Sequence, residues 1–308
     1  MGSPDLRSAS RVAASATVGE AVATASARLR EAGSPTPRLD AELLVAFLAD
    51  RDRAWLLAHP ESGFEAASAL EVLVERRVTG EPIAYLRGFK EWRSLRIRTD
   101  ARALIPRPET EQLVDAAVAE LADRLARDDA PIVAWDVGTG SGAIAVALAL
   151  RFRASLALGR VRLVASDGSP DALELAAENL AAHGVSELVD LACADLLEPA
   201  GSTLPAPDVV VANLPYVSSA EVAAGAGSLA HEPASALDGG RDGLDVVRRL
   251  LGDLPGRVAG GATILLEIGA GQASEVAALA PVGASVSVAA DLAGIDRIVR
   301  IGLPDGVR

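Results

Sequence analysis

The residues best suited to chemistry stand together at Asn213-Leu214-Pro215-Tyr216, directly after the β-branched run Val209, Val210 and Val211. That run predicts a short buried strand. Pro215 has no N–H for a sheet ladder and pushes Leu214 toward extended backbone, so the chain leaves the sheet with the Leu214 carbonyl unpaired. The Asn213 side chain and that carbonyl form a polar pair able to accept both hydrogens of a planar NH2 group, with the Tyr216 ring as a wall beside it. Such a pair suits an amide or an amino-purine nitrogen, and the carboxyl end of a strand is where open α/β sheets bind ligands. A strand ending in a proline turn, capped by Asn213, is the competing account of the same four residues.

A second constellation is Asp136-Val137-Gly138-Thr139-Gly140-Ser141-Gly142. Alternate glycines let backbone turn sharply and let a ligand approach main chain at the positive end of a helix. The spacing is G-x-G-x-G rather than the G-x-G-x-x-G of a dinucleotide site, which makes NAD the weaker expectation. Asp167 ends the next predicted strand, where an acid can accept from both hydroxyls of a ribose, while Ser169 is the better cap for the helix that follows. Asp195 follows the third strand and could meet an adenine amino group or be a plain loop carboxylate. Together Asp136 and Asp195 would attract a cationic sulfonium. No Ser/His/Asp order and no catalytic carboxylate pair competes for the site.

These residues need a framework, and the chain supplies one from residue 131 onward by alternating strand and helix. Strands are predicted over 132–135, 161–165, 188–192, 209–211 and 262–267, helices over 142–150, 171–183, 244–254 and 273–279, and two closing strands over 285–289 and 297–301. A long Gly/Ala-rich loop is expected over 218–243. Alternation of this kind means an α/β fold with a mostly parallel sheet and helices on both faces. Before it, residues 18–78 carry helical periodicity punctuated by Pro35, Pro37 and Pro60, with Leu39, Leu43, Leu44, Phe47 and Leu48 expected on one inner face and Trp55, Leu56 and Leu57 packed there too. Leu95, Ile97 and Thr99 alternate with charged residues after Phe89 and Trp92, which predicts a β-hairpin bridging two domains. Ile105-Pro106-Arg107-Pro108-Glu109-Thr110-Glu111 is stiffened by its prolines, as an arm over a ligand or a linker would be. The expected organisation is disorder over 1–15, a helical substrate-recognition domain over 16–86, a hairpin linker over 87–108 and the catalytic sheet domain over 109–308.

The chain has 308 residues, half of them hydrophobic but only 3% aromatic, so Ala, Val and Leu must fill its core. No apolar run is long enough to span a bilayer, and the N-terminal stretch lacks a signal-peptide pattern. Cys193 is the single cysteine, which excludes a disulfide framework and fits a cytoplasmic setting. Three dispersed histidines with no Cys/His cluster give no metal site. A net charge of −13 argues against direct nucleic-acid binding, although 87–107 is rich in Arg and Lys. The oligomeric state is not fixed by these residues, and a monomer is the simplest expectation.

From about Ala41 to its end the chain resembles the PrmC/HemK family of protein-glutamine methyltransferases that modify peptide-chain release factors. The resemblance rests on Gly80-Glu81-Pro82-Ile83-Ala84-Tyr85-Leu86, the Pro-rich segment 105–111, the Gly-rich loop with Ala143 and Ile144, the 213–216 tetrad, Glu232-Pro233 with Ala236-Leu237-Asp238-Gly239-Gly240 and Asp242-Gly243-Leu244, and Leu266-Glu267-Ile268-Gly269. The family usually spells its tetrad Asn-Pro-Pro-Tyr. Leu214 departs from it with a spelling more familiar in rRNA adenine dimethyltransferases, keeping the accepting carbonyl with less rigidity and putting fine substrate specificity in question.

The resemblance implies a Rossmann-like sheet that uses S-adenosyl-L-methionine (SAM), with a small N-terminal helical domain and a β-hairpin. It implies methyl transfer to the side-chain amide nitrogen of the glutamine in a release factor's Gly-Gly-Gln motif. Gly138, Thr139, Gly140, Ser141, Gly142 and Asp167 would bind the cofactor and Leu196 would lie against its adenine. Asn213 would touch both cofactor and substrate, and Asn213, Leu214, Pro215 and Tyr216 together would bind the substrate and carry catalysis. Two other readings stay open: an amino-methyltransferase that uses the same tetrad on adenine in nucleic acid, and a non-catalytic module that keeps the fold for partner binding. The second of these would tolerate loss of the glycines or of Asn213, and both are intact.

Overall fold

The computed structural model describes residues 16–199, 204–225 and 230–305. The disorder expected over 1–15 lies outside these residues. The chain divides into two compact units, with the break between Arg87 and Gly88.

In the first unit, strand β1 (Ala16–Thr17) pairs antiparallel with β2 (Gly63–Phe64), and between and after them run helices α1 (Val18–Glu31), α2 (Pro37–Ala49), α3 (Arg53–Ala58), α4 (Ala67–Val78) and α5 (Ile83–Arg87). Thr17 starts α1 with a reciprocal capping box to Glu20. The core joins Leu29, Leu44, Val45, Leu56 and Val74. Ala41, Leu44 and Val45 form the buried stripe of α2, whereas Leu39 and Leu57 are exposed. The inner face is therefore rotated from the leucine-rich face expected, running through Ala41, Leu44 and Val45.

The second unit opens with a hairpin, β3 (Phe89–Trp92) and β4 (Leu95–Arg98), turned by Arg93 and Ser94 at φ 49° and 60°. Then come α6 (Thr110–Arg127), β5 (Ile132–Val137), α7 (Ala143–Arg151), α8 (Arg153–Ala157), β6 (Val161–Asp167), α9 (Pro170–Ala182), β7 (Val189–Asp195), β8 (Glu198–Pro199) and β9 (Val209–Asn213). The remainder is α10 (Ser219–Ala224), α11 (Asp245–Asp253), β10 (Thr263–Glu267), α12 (Ala273–Ala278), β11 (Ser285–Ala290) and β12 (Asp296–Gly302).

One sheet has the order β11-β12-β10-β9-β5-β6-β7-β8. The five strands from β10 to β7 are parallel, and β12, β11 and β8 pair antiparallel at the two sides. This is the α/β class expected. Side chains alternate between two cores: Ala134, Val209, Val211 and Leu265 face one, and Trp135, Val137, Val210, Ala212 and Leu266 face the other. A strand buried on both faces reads as an unbroken apolar run, which is why β9 stood out.

The strands β5, β6 and β7 run a residue or more past their predicted ends, and Asp195 closes β7 rather than following it. The expected 218–243 loop holds α10, started by a Ser218–Glu221 capping box, and a 3-10 turn at Ala234–Ala236. Its Ala/Gly richness masked that cap.

Candidate active site

From β5 the chain proceeds outward through β6 and β7, and from β9 it proceeds the other way through β10, so the order reverses between β5 and β9. At such a switch point the carboxyl ends of neighbouring strands open a crevice. Val137 and Ala212 are register partners there, so the Gly-rich loop and the tetrad leave the sheet side by side. Between them lies a cavity of about 390 Å³, walled by Gly138–Ser141, Asp167, Leu196 and Asn213–Pro215, and by the Pro-rich arm through Pro106, Arg107 and Thr110. The size suits a small-molecule ligand.

Gly138 and Gly140 hold φ of +71° and +54°, which L side chains rarely adopt. Gly142 does not line the cavity: a Cβ there would stand 3.0 Å from Ala176 Cβ, so this glycine lets the loop pack on α9. Asp167 accepts from Gly140 N–H through Oδ2 at 2.9 Å and from Ser169 N–H through Oδ1 at 2.9 Å. Its orientation is thereby fixed, and each oxygen keeps a lone pair for a further donor. Ser169 caps α9, as expected. Leu196 is buried at the cavity wall with φ +56°, a strained conformation for leucine.

The two acids expected to draw a sulfonium do not act as a pair. Asp136 is fully buried, and its Oδ2 accepts from Thr139 Oγ1 at 2.6 Å and from Ala145 N–H at 3.1 Å. Burial pushes its carboxyl up to about 7, and the group braces the loop from behind without lining the cavity. Asp195 does line the cavity, but Arg249 pairs with it at 2.6 Å and offsets its charge.

In the tetrad, Asn213 ends β9 and its Nδ2 donates to Thr110 Oγ1 at 3.0 Å, which leaves Oδ1 as the free end of the amide. Thr110 is buried at the start of α6, its hydroxyl helps to pull the pKa of the neighbouring Glu267 carboxyl down, and Glu267 Oε2 is buried with no hydrogen-bond partner among the described residues. Glu267 ends β10, is the register partner of Asn213 and is 1% exposed. Tyr216 is not a wall of the cavity. Its hydroxyl donates to Glu267 Oε1 at 3.3 Å, and burial together with that carboxylate pushes the phenol up to about 12, so it stays a donor. The Leu214 side chain is buried and joins the core with Leu196 and Leu197. A Cβ at Gly239 would stand 2.6 Å from the Pro215 carbonyl oxygen, and one at Gly243 closer still to that of Tyr216, so the 238–244 stretch must be glycine where it crosses the tetrad.

The arm is held on both sides. Ile105 N–H donates to Glu232 Oε2 at 3.1 Å, Arg107 forms an ion pair with the buried Glu232, and Trp92 Nε1 donates to Arg107 O at 2.8 Å. Behind the glycines, the buried amide of Asn179 accepts from Arg98 N–H at 2.7 Å and donates to Arg98 O at 3.1 Å and Ser141 O at 2.8 Å. Thr110, Glu267, Glu232 and Asn179 carried no expected role. Thr110, Glu232 and Glu267 stand in motifs that carry the resemblance, and a carboxylate ending the apolar strand Thr263–Glu267 was a further signal. Among the described residues there is no metal-holding cluster of His, Cys, Asp or Glu, and no helix is long and apolar enough to cross a membrane.

Residues 20–88 match the family described as the PrmC N-terminal domain, and 116–216 match ribosomal protein L11 methyltransferase (PrmA). The release factor glutamine methyltransferase of Deinococcus radiodurans is 38% identical over 285 residues, covering 90% of this chain and 95% of that protein. The one from Moorella thermoacetica is 39% identical over 289 residues, covering 91% and 96%. The chain belongs to the release factor glutamine methyltransferase family. A solved structure of a release factor-specific protein-(glutamine-N5) methyltransferase, from Alicyclobacillus acidocaldarius, is 30% identical to this family member, covers 65% of it and 94% of its own chain, and has a TM-score of 0.38. The cavity fits SAM on its own terms: it has a glycine cradle that a Cβ would strain and an oriented carboxylate with lone pairs to spare.

Proposed function

We propose that this protein methylates the side-chain amide nitrogen of the glutamine in the Gly-Gly-Gln motif of peptide-chain release factors, using SAM, in the cytoplasm and without direct contact to nucleic acid. The observation that carries the reading is the Asn213 amide, whose nitrogen end is tied to Thr110 while its oxygen end has no donor among the described residues, at a cavity that Asn213 and Leu214 both line. Two adjacent acceptors match the two hydrogens of a primary amide.

When bound, SAM supplies an electrophilic methyl group on a cationic sulfur. Gly138–Ser141, Asp167 and Leu196 would hold it. An amide nitrogen is a poor nucleophile because its lone pair is delocalised into the carbonyl. Asn213 Oδ1 and Leu214 O, by accepting both N–H groups, fix the direction of the nitrogen and favour the positive charge that develops on it. Orientation of this kind can lower a barrier by roughly 7 kcal/mol in favourable systems. The amide proton leaves once the N–C bond has formed, so no strong base is needed beforehand. Pro215 holds the chain extended so that the Leu214 carbonyl stays out of the sheet. The helical unit is assigned to recognition of the factor.

The test is incubation with labelled SAM and a purified release factor, with adenine-containing DNA and RNA in parallel. Label on the Gly-Gly-Gln peptide, and a kcat strongly depressed by Asn213→Ala, is expected. Label in nucleic acid alone would move the assignment to the adenine amino group.

A further inference from the structure

We propose that Thr110 and Glu267 are positioning residues that set which end of the Asn213 amide faces the substrate. The inference rests on the reading that Asn213 Oδ1 accepts from the substrate amide.

An asparagine amide turned over by half a rotation occupies the same space but exchanges an acceptor for two donors. In that orientation Asn213 would present N–H groups to the N–H groups of a substrate amide, and the accepting pair would be lost. Nothing in Asn213 itself selects between the two orientations, so the choice must come from its neighbours. Among the described residues its one side-chain partner is Thr110 Oγ1, at 3.0 Å. A hydroxyl carries a single proton and can donate it to the amide oxygen or accept from the amide nitrogen. By itself Thr110 would allow both.

Glu267 removes the ambiguity. Its Oε2 is buried with no hydrogen-bond partner among the described residues, and an ionised carboxylate oxygen is an acceptor only, so the Thr110 proton turns to it and the Thr110 oxygen is left to accept. Asn213 Nδ2 then has a partner in one orientation only, and Oδ1 is turned to the cavity. Strand pairing builds the relay. Glu267 and Asn213 are register partners on adjacent parallel strands, on the sheet face shared by Leu265 and Val211, and α6 covers that face and begins at Thr110. Burial keeps water from substituting for Thr110 or Glu267, which are 4% and 1% exposed. Tyr216, whose hydroxyl also donates to Glu267, ties the fourth tetrad residue to the same carboxylate.

The experiment measures kcat, KM for release factor and thermal stability for Thr110→Val, Thr110→Ser, Asn213→Ala and the double variant Asn213→Ala/Thr110→Val. Thr110→Val keeps the shape and removes the hydroxyl. It should lower kcat by roughly ten- to a hundredfold with KM nearly unchanged. Thr110→Ser should restore most of the loss, and in the Asn213→Ala background Thr110→Val should cost nothing further. If Thr110→Val does not fold, Thr110→Ala carries the same expectation. A kcat within twofold of the unaltered protein for the valine or alanine variant, with Asn213→Ala still impaired, overturns the positioning role and leaves the proposed function standing. A near-normal kcat for Asn213→Ala itself overturns both.

Discussion

Leu214 Cδ2 stands 3.1 Å from the point that a Cβ on Gly138 would occupy, so the second residue of the tetrad is packed onto the first glycine of the cofactor loop. Gly138→Ala should therefore suffer twice, once from left-handed backbone, at about 1–2 kcal/mol, and once from displacing a buried leucine. We expect a lower Tm and weaker SAM binding. Leu214→Pro keeps the accepting carbonyl, shortens the side chain and relieves the contact, so the double variant should lose less than the sum of the single changes. Strict additivity in thermal denaturation would show that the two positions do not communicate.

Asp167→Ala should weaken SAM binding about tenfold or more, the scale of a lost charge-assisted hydrogen bond. The same substitution frees Gly140 N–H from its acceptor, so a modest fall in Tm should accompany the loss of affinity. Calorimetry with unchanged affinity would remove Asp167 from the site, whatever the Tm does.

Asp136 predicts how stability responds to pH. Its carboxyl lies above the ordinary carboxylate range in the folded protein, at about 7, because burial disfavours the charge. The folded state then binds a proton that the unfolded state has lost. The contribution is fully present below the unfolded value of about 4 and disappears as pH rises through about 7. Asp136→Asn, which cannot ionise, should be less sensitive than the unaltered protein to a shift from pH 5 to pH 8 in thermal melts.

Glu267 predicts how activity responds. Burial raises its pKa first of all, the hydroxyls of Thr110 and Tyr216 pull it down, and Glu109 and Arg297 act with opposite signs. The net direction is upward, so the relay to Asn213 should fail on acidification above the range where an ordinary glutamate protonates. A protonated Glu267 can donate to Thr110 and release the orientation of Asn213. The kcat of the unaltered protein should fall on that acid limb. Glu267→Gln, which has no proton to gain, should lack the limb even at a lower plateau; an unchanged limb would assign it elsewhere.

Features built from neighbouring residues were legible: the β9 run, the proline halt at 215, the glycine loop and the acid closing β6 each follow from local propensity. The relay was not, because its contact joins residues 103 apart, and the anchor from Ile105 to Glu232 spans 127. Asp136 was misread for a subtler reason. An acid beside a glycine loop suggests a ligand-facing charge, yet it shares strand parity with Ala134, which faces the core that contains Ala145 of α7. Alternation along β5 held that information, and the motif drew attention away from it. Tyr216 was placed by its aromatic ring, whereas the buried carboxylate beside it decides where its hydroxyl goes.

Asn179 joins the outgoing strand of the hairpin to the glycine loop through one amide, with three hydrogen bonds made in a buried setting. Asn179 sits on α9, so loss of its amide would leave the Arg98 N–H and carbonyl and the Ser141 carbonyl unpartnered on that side all at once. Hairpin and loop are therefore coupled through α9. In amide hydrogen exchange, Arg98 should be as slow as the loop it never touches directly, and a ligand that closes on the glycines should slow both together.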